Sequence, residues 1–342
     1  MLPLSDHLRR EANATDALDV FLCGLVFFDV VFTGLDQPPT LGTEVWTKGF
    51  ATGPGGIANF AVALRRLGLR TQLAAAFGTD LLGANCWEVL AEQEGIDLTR
   101  SRRFEGWPTP VTASLAYGGD RALVTHGLAC PVSNDELVGD PPPSRATVVH
   151  LEAEATAWLP KAAAGGSLVF ADVGWDPSET WAASTLEQLA MCHAFMPNEE
   201  EATRYTRTST PHEALAKLAD LVPFAVVTCG ASGAIAVDAT TGETAEVGGL
   251  EIGAIDATGA GDVFGASLVV ATLEGWPLED RLRFANLAAA LSVRHAGGAM
   301  ASPRWDDIAR WWRAVNTRDD AAELRAEYAF LSDVVAQHLR MG

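Results

Sequence analysis

From Ala146 onward the chain repeats one unit: a short apolar segment ending on a polar or glycine-rich turn, then a stretch with helical spacing. Thr147 to Leu151 ends at Glu152, Ser167 to Phe170 at Asp172, His193 to Met196 at Asn198, and Phe224 to Thr228 at Cys229-Gly230. Helical stretches over about 179–192, 199–206 and 211–221 fill the intervals. Segments that are apolar throughout suit strands buried on both faces, and alternation with helices forces a parallel sheet covered on both sides. Upstream, Asp19 to Phe28 ending at Asp29, and Thr71 to Phe77 ending at Gly78-Thr79-Asp80, extend the pattern. The expected fold class is therefore α/β, a doubly wound, mainly parallel sheet. Its ligands belong beyond the strand C-termini, where Asp29, Glu152, Asp172, Asn198 and Thr228 would line one edge.

Two segments break the rhythm. Val30 to Thr52 carries Pro38-Pro39 and Gly42, then alternates from Thr43 to Phe50. Thr109 to Tyr117 and Arg121 to His126 alternate around Gly118-Gly119, a hairpin signal. Together they suggest a small β lid, residues 30–52 and 106–127, inserted into a main domain of 1–29, 53–105 and 128–303. Residues 304–342 read as charged amphipathic helices at the periphery. Exposed lid strands invite an edge partner, so a homodimer through the lid is expected.

The formal net charge of −20 argues against a nucleic-acid partner or an anionic membrane surface. Val20 to Phe28 is too short to span a bilayer, and Met1 to Asp19 lacks a signal-peptide apolar core. The five cysteines are scattered without CxxC or Cys/His ligand spacing, which fits reduced thiols and a cytoplasmic location. Only Lys48, Lys161 and Lys217 represent lysine, and none lies in a G-x-x-x-x-G-K-[ST] loop.

One obvious phosphate-binding device is thereby excluded. Ile255 to Gly265 is small and glycine-rich, and it runs into an apolar helix that ends at Glu274-Gly275. A helix N-terminus offers unpaired N–H groups and about half a positive charge, a seat for phosphate oxygens. Asp262 beside that seat would repel an anion, so it reads either as a proton acceptor or as a helix cap. Pro54-Gly55-Gly56 opens a second helix with Asn59 in its first turn, and the glycine pair permits close approach of a ligand. Gly259, Gly261 and Gly265 also mimic a dinucleotide fingerprint, but that motif follows a first strand and precedes an acidic strand end. A dehydrogenase is disfavoured accordingly.

Gly55-Gly56-x-x-Asn59-x-Ala61, with Leu67-Gly68 and Gly78-Thr79-Asp80-x-x-Gly83 downstream, resembles the first signature of the ribokinase-like (PfkB) carbohydrate kinases. Asp256-Ala257-Thr258-Gly259-Ala260-Gly261-Asp262 resembles the second, Asn198-Glu199-Glu200-Glu201 the N-x-x-E motif, and Thr228-x-Gly230-x-x-Gly233 the nucleotide-side turn. The resemblance spans roughly 19–303. It implies Asp262 as the base for the substrate hydroxyl, with Gly259, Ala260 and Gly261 as the anion hole. It implies ATP near Asn198, Thr228, Gly230, Gly233 and Asn286, and Mg²⁺ oriented through water by Asn198 and Glu201. Substrate hydroxyls would meet Asp29, Gly55, Gly56 and Asn59, with Glu152 a further acceptor at its strand end. Asp256, Thr258, Ala296, Gly298 and Ser302 match positions around a monovalent cation such as K⁺ in some members.

Ala257 replaces a threonine common in the second signature, and the lid segment Arg121 to Gly127 lacks a basic cluster at its end. Anionic substrates usually need an arginine or lysine there, with Arg103 and Arg121 the nearest in sequence. The expectation is an ATP-dependent kinase acting on a hydroxymethyl group of a neutral pentose or hexose. A nucleoside kinase or a 2-keto-3-deoxy sugar acid kinase is the alternative, and a non-catalytic sugar or nucleotide sensor the remote one.

Overall fold

The computed structural model describes residues 18–341 apart from Gly119 and Glu251. The reading of Met1 to Asp19 as leaderless therefore falls largely outside the described residues. The N-terminal half supplies strands β1 (Leu18–Cys23), β2 (Val26–Thr33), β3 (Gly49–Gly56), β4 (Thr71–Ala74), β5 (Ala76–Gly78), β6 (Arg102–Phe104), β7 (Val111–Tyr117), β8 (Asp120–His126) and β9 (Ser144–His150). The rest supplies β10 (Leu168–Asp172), β11 (Ala194–Phe195), β12 (Phe224–Thr228), β13 (Ala234–Asp238) and β14 (Glu243–Val247). The main sheet has the order β14-β13-β12-β11-β10-β9-β1-β4. From β4 to β12 every pair is parallel, and β13 and β14 close one edge antiparallel.

The fully apolar strands are buried on both faces, as their sequences require. Val20, Leu22, Val148, Phe170 and Val226 point into one core, with helices α1 (Ile57–Arg66), α3 (Ala260–Leu273) and α4 (Leu278–Ser292). Phe21, Val149, Val169, Ala171 and Val227 point into the other, with α2 (Glu199–Thr206) and the helices Trp158–Ala164 and Pro211–Ala219. Among the described residues no helix is long and apolar enough to cross a membrane.

The lid is a four-stranded sheet, β3-β2-β7-β8, with β2 antiparallel to β3 and parallel to β7. Here the structure corrects the sequence reading. Asp19 to Phe28 is two strands, because the chain leaves the main sheet at Gly24-Leu25. A side chain at Gly24 would lie 3.0 Å from Ile57 Cβ, so the crossing passes tight against α1. Both strands are apolar because Val26, Phe28 and Val31 also pack inward, so no change of period marks the break. Asp29 thus sits inside a lid strand rather than at the end of a main-sheet strand. The lid sheet begins at Val26 and continues to Gly56, past the boundaries read from the sequence. Thr43 to Lys48 is irregular, with strand structure starting at Gly49.

The Gly78-Thr79-Asp80 turn has a structural use. Asp80 caps the helix Leu81–Glu88 through Gly83 N–H and also accepts from both the amide and hydroxyl of Thr109, tying the approach to β7 onto the main domain. The C-terminal helices are less peripheral than expected. Helix α5 (Trp305–Asn316) buries Trp305, Ile308, Ala309, Trp312 and Val315 against α4, and α6 (Leu331–Met341) packs on it.

Helix α3 crosses α1 closely because Gly265 faces Phe60: a Cβ there would be 2.6 Å from the ring. Gly265→Leu should lower stability by about 1–3 kcal/mol through overpacking. An unchanged midpoint in urea unfolding would show that the ring can yield.

Candidate active site

Helix α3 places its only acidic residue at the wet end. Every residue from Val263 to Leu273 is buried, while the Asp262 side chain stays 18% accessible in the first turn. Gly259 precedes the helix with φ 74°, a left-handed conformation that suits glycine, and a Cβ there would press on the Asn59 amide at 3.2 Å. The turn is built by Asp256, whose two carboxylate oxygens accept from the amides of Thr258 and Gly297. Gly259, Gly261 and Asp262 keep their N–H groups free of backbone acceptors among the described residues. Ala260 is a correction to the expected anion hole. Its amide donates to Ala257 O at 3.2 Å, because the tight turn into the helix closes on itself there.

The Asp262 carboxylate has a hydrogen-bond donor on one side and an imidazole within ion-pair distance on the other. Asn59 Nδ2 of α1 donates to Oδ2 at 2.9 Å, and His150 Nε2 at the end of β9 lies 3.6 Å from Oδ1. Asp172 ends the neighbouring strand as the register partner of His150. Ligand atoms of His150, Asp172 and Asp262 all lie within 4.8 Å of one another. Burial opposes charge on His150, but the contact with Asp262, with Asp172 and Glu201 behind it, outweighs this and raises its pKa. Burial and the Glu201 charge push Asp172 well above the usual carboxylate range, and burial takes Glu201 to about 7. Sequence reasoning placed Asp172 on this edge without a role and missed His150. The signal was present: β9 ends at His150, two residues before Glu152, and the last residue of a buried strand is polar.

Across the cleft mouth, Asp29 is 8% exposed and lies against β3 so closely that a Cβ at Gly55 would be 1.9 Å from its Oδ2. Burial first, then the charges of Asp262 and Asp256, raise its pKa to about 7, while Arg121 works the other way. Gly56 is the residue before α1, with φ 63° and ψ −135°. The Asn59 Oδ1 atom is buried with no partner, beside Gly259 and Gly298. An acceptor so placed suits a hydroxyl donor from a bound molecule. Asp29, Gly55, Gly56, Asn59 and Asp262 thus lie near one another. Glu152 is not among them. Its side chain is exposed without a hydrogen-bond partner among the described residues, and its carbonyl holds Gln188, because the chain has already left the sheet.

On the other side of α3, Asn198 and Glu201 form a reciprocal capping box at the start of α2. Asn198 is bridged to Thr228 in parallel register, so the acidic turn and the nucleotide-side turn share the sheet edge. Gly230 and Gly233 follow with φ of 54° and 99°. Asn286 uses its amide on Val247 O and Gly248 O, anchoring α4 to the exit of β14. Of the residues expected around a monovalent cation, Asp256, Thr258 and Gly298 lie in neighbouring turns. Gly297 N–H meets Asp256, Gly298 faces Thr258, and Ser302 Oγ is buried without a partner. Arg66, buried against Glu94, donates to Met300 O and Ser302 O and so fixes this turn to the end of α1.

The model of the pfkB family carbohydrate kinases matches residues 24–305. The chain belongs to this family. It is a phosphotransferase with an alcohol group as acceptor. A ribokinase of Schizosaccharomyces pombe is 27% identical over 277 residues, covering 75% of this chain and 85% of that one. A nucleoside kinase of Methanothermobacter thermautotrophicus is 28% identical over 288 residues, covering 82% and 90%. Arabidopsis thaliana ribokinase, solved with ribose and ATP, superposes with a TM-score of 0.69 at 24% identity over 86% of this chain and 98% of that one. These structures share the ribokinase-like fold, as the sequence led us to expect.

Because the Asp29 carboxyl is easier to protonate in the folded chain than in the unfolded one, its ionisation costs stability as pH rises from about 4 to about 7. Asp29→Asn removes that cost. Its melting temperature should rise relative to wild type across this window and level off above it. A difference that does not depend on pH would refute the assignment.

Proposed function

We propose that the protein is an ATP-dependent kinase that phosphorylates a hydroxymethyl group of a small neutral sugar, a pentose or hexose. The observation that carries this reading is the position of Asp262, pinned by Asn59 beside free backbone amides and facing Asp29 beneath the lid. Asp262 accepts the proton of the attacking hydroxyl, while the amides of Gly259 and Gly261 face the charge that develops on the transferred group. Asp29 and Asn59 Oδ1 accept from neighbouring hydroxyls, which selects a polyol over an analogue lacking them. Closure of the lid over the site excludes water. Its base already touches the catalytic turn, where the Ser114 and Thr258 hydroxyls lie 3.0 Å apart.

The Arabidopsis complex with ribose and ATP, and an E. coli protein assigned as ribokinase II solved with ATP and Mg²⁺, support these cofactors here. One Glu201 oxygen caps Asn198, leaving the other to orient a hydrated Mg²⁺, which supplies charge neutralisation between phosphates. The orphaned Ser302 Oγ supports a K⁺ site in the neighbouring turn. Disulfide-free cysteines support a reducing, cytoplasmic setting, and exposed Leu123 and Val124 on the outer strand β8 support a lid-mediated dimer. A nucleoside kinase is the second reading, favoured by the Methanothermobacter relative. Arg121, near enough to act on Asp29, is what favours a sugar acid.

Asp262→Asn should leave ATP affinity within about twofold and reduce turnover by about 10²–10⁴. ADP release over a panel of pentoses, hexoses and nucleosides reads this directly. A variant that turns over at the normal rate has the base misassigned.

A further inference from the structure

We propose that His150 is a positioning residue for the base. It holds the Oδ1 side of Asp262 while Asn59 holds Oδ2, so that the carboxylate enters the cleft in a single orientation. The inference rests on the kinase reading above and deepens it.

The geometry has three parts. First, the imidazole is fixed before it meets the carboxylate. It ends β9 in the middle of the main sheet, and the Phe60 ring of α1 lies edge-on to it, with centroids 5.6 Å apart at 67°. Phe60 is itself fully buried and pressed onto Gly265 of α3. Second, the two contacts on Asp262 come from separate elements. Asn59 Nδ2 reaches one oxygen at 2.9 Å and His150 Nε2 stands 3.6 Å from the other. A carboxylate held by one donor can rotate about that bond; one held at both oxygens cannot, and misplacement of a reacting group by about 1 Å costs about 10²-fold. Third, the surroundings favour a donating imidazole. The charged groups facing His150 are Asp262 from α3, Asp172 from β10 and Glu201 from α2, all acidic, and they raise its pKa against burial. With no lysine or arginine joining these contacts among the described residues, the Nε2–H of His150 is the donor that faces Asp262 Oδ1 from the sheet.

Phosphorylation by the wild type is established first, as ADP release with D-ribose, D-fructose or adenosine. His150→Leu keeps the volume and loses the donor. It should lower kcat about 10- to 100-fold with KM for ATP unchanged. His150→Gln, which restores an amide donor, should recover to within about fivefold of wild type. In an Asp262→Asn background, His150→Leu should add no further loss, because the residue acts only through that carboxylate. A wild-type kcat in His150→Leu, or equal losses in the Leu and Gln variants at equal melting temperatures, overturns the positioning role and leaves the kinase standing. A readout free of turnover guards against a variant that fails to fold. The imidazole ¹⁵N signals of His150, identified by their loss in His150→Gln, should shift in Asp262→Asn. Signals that stay in place show that the two side chains do not touch, and they overturn the proposal without reference to activity.

Discussion

The hold on Asp262 organises the rest of the molecule. A carboxylate at the first turn of a helix gains from the dipole there, and in the kinase reading proposed above the same end of the helix would also accommodate phosphate. These demands conflict unless the side chain is tied to something other than the helix. The tie is Asn59, more than two hundred residues earlier in the chain, together with His150 from the sheet. Helix α1 can reach α3 because Gly265 leaves room for Phe60, and α3 can stand at the sheet edge because its remaining length is apolar and buried. Core packing and site geometry are thus one problem in this chain.

The acidic character of the cleft follows from the lack of lysine. No lysine joins the contacts of these acids among the described residues, and the basic side chains near them are His150 and Arg121. Asp29, Asp172 and Glu201 are all driven toward protonation, by burial first and by the charge of Asp262 beside them. Groups raised this way respond to a neighbouring cation or hydrogen-bond donor by a change of charge. The fold spends stability to keep them there, as strained and destabilised sites generally do.

The lid is tied to this centre at several points. Asp80 fastens the approach to β7, Ser114 meets Thr258, and a Cβ at Gly53 on β3 would lie 3.1 Å from Met300. The turn at residues 297–302 in turn rests on Arg66. The four-stranded sheet thus rests on the turn that shapes the helix N-terminus.

Much of this was legible in the sequence. The parallel sheet followed from apolar runs alternating with helical spacing, and the amide-rich helix start followed from glycine placement, because both are local properties of a few residues. Asn59 and Asp262 could be named as candidate site residues from their motifs, and Asp29 from its place in an apolar run together with the family resemblance. What only the tertiary structure decided were matters of register and contact. It decided that Asp29 belongs to the four-stranded sheet, that Ala260 turns its amide inward, that Glu152 faces solvent, and that His150 and Asp172 lie beside Asp262. A strand end reveals its residue type but not which neighbour it will lie beside, since that depends on pairings made across the whole length of the chain.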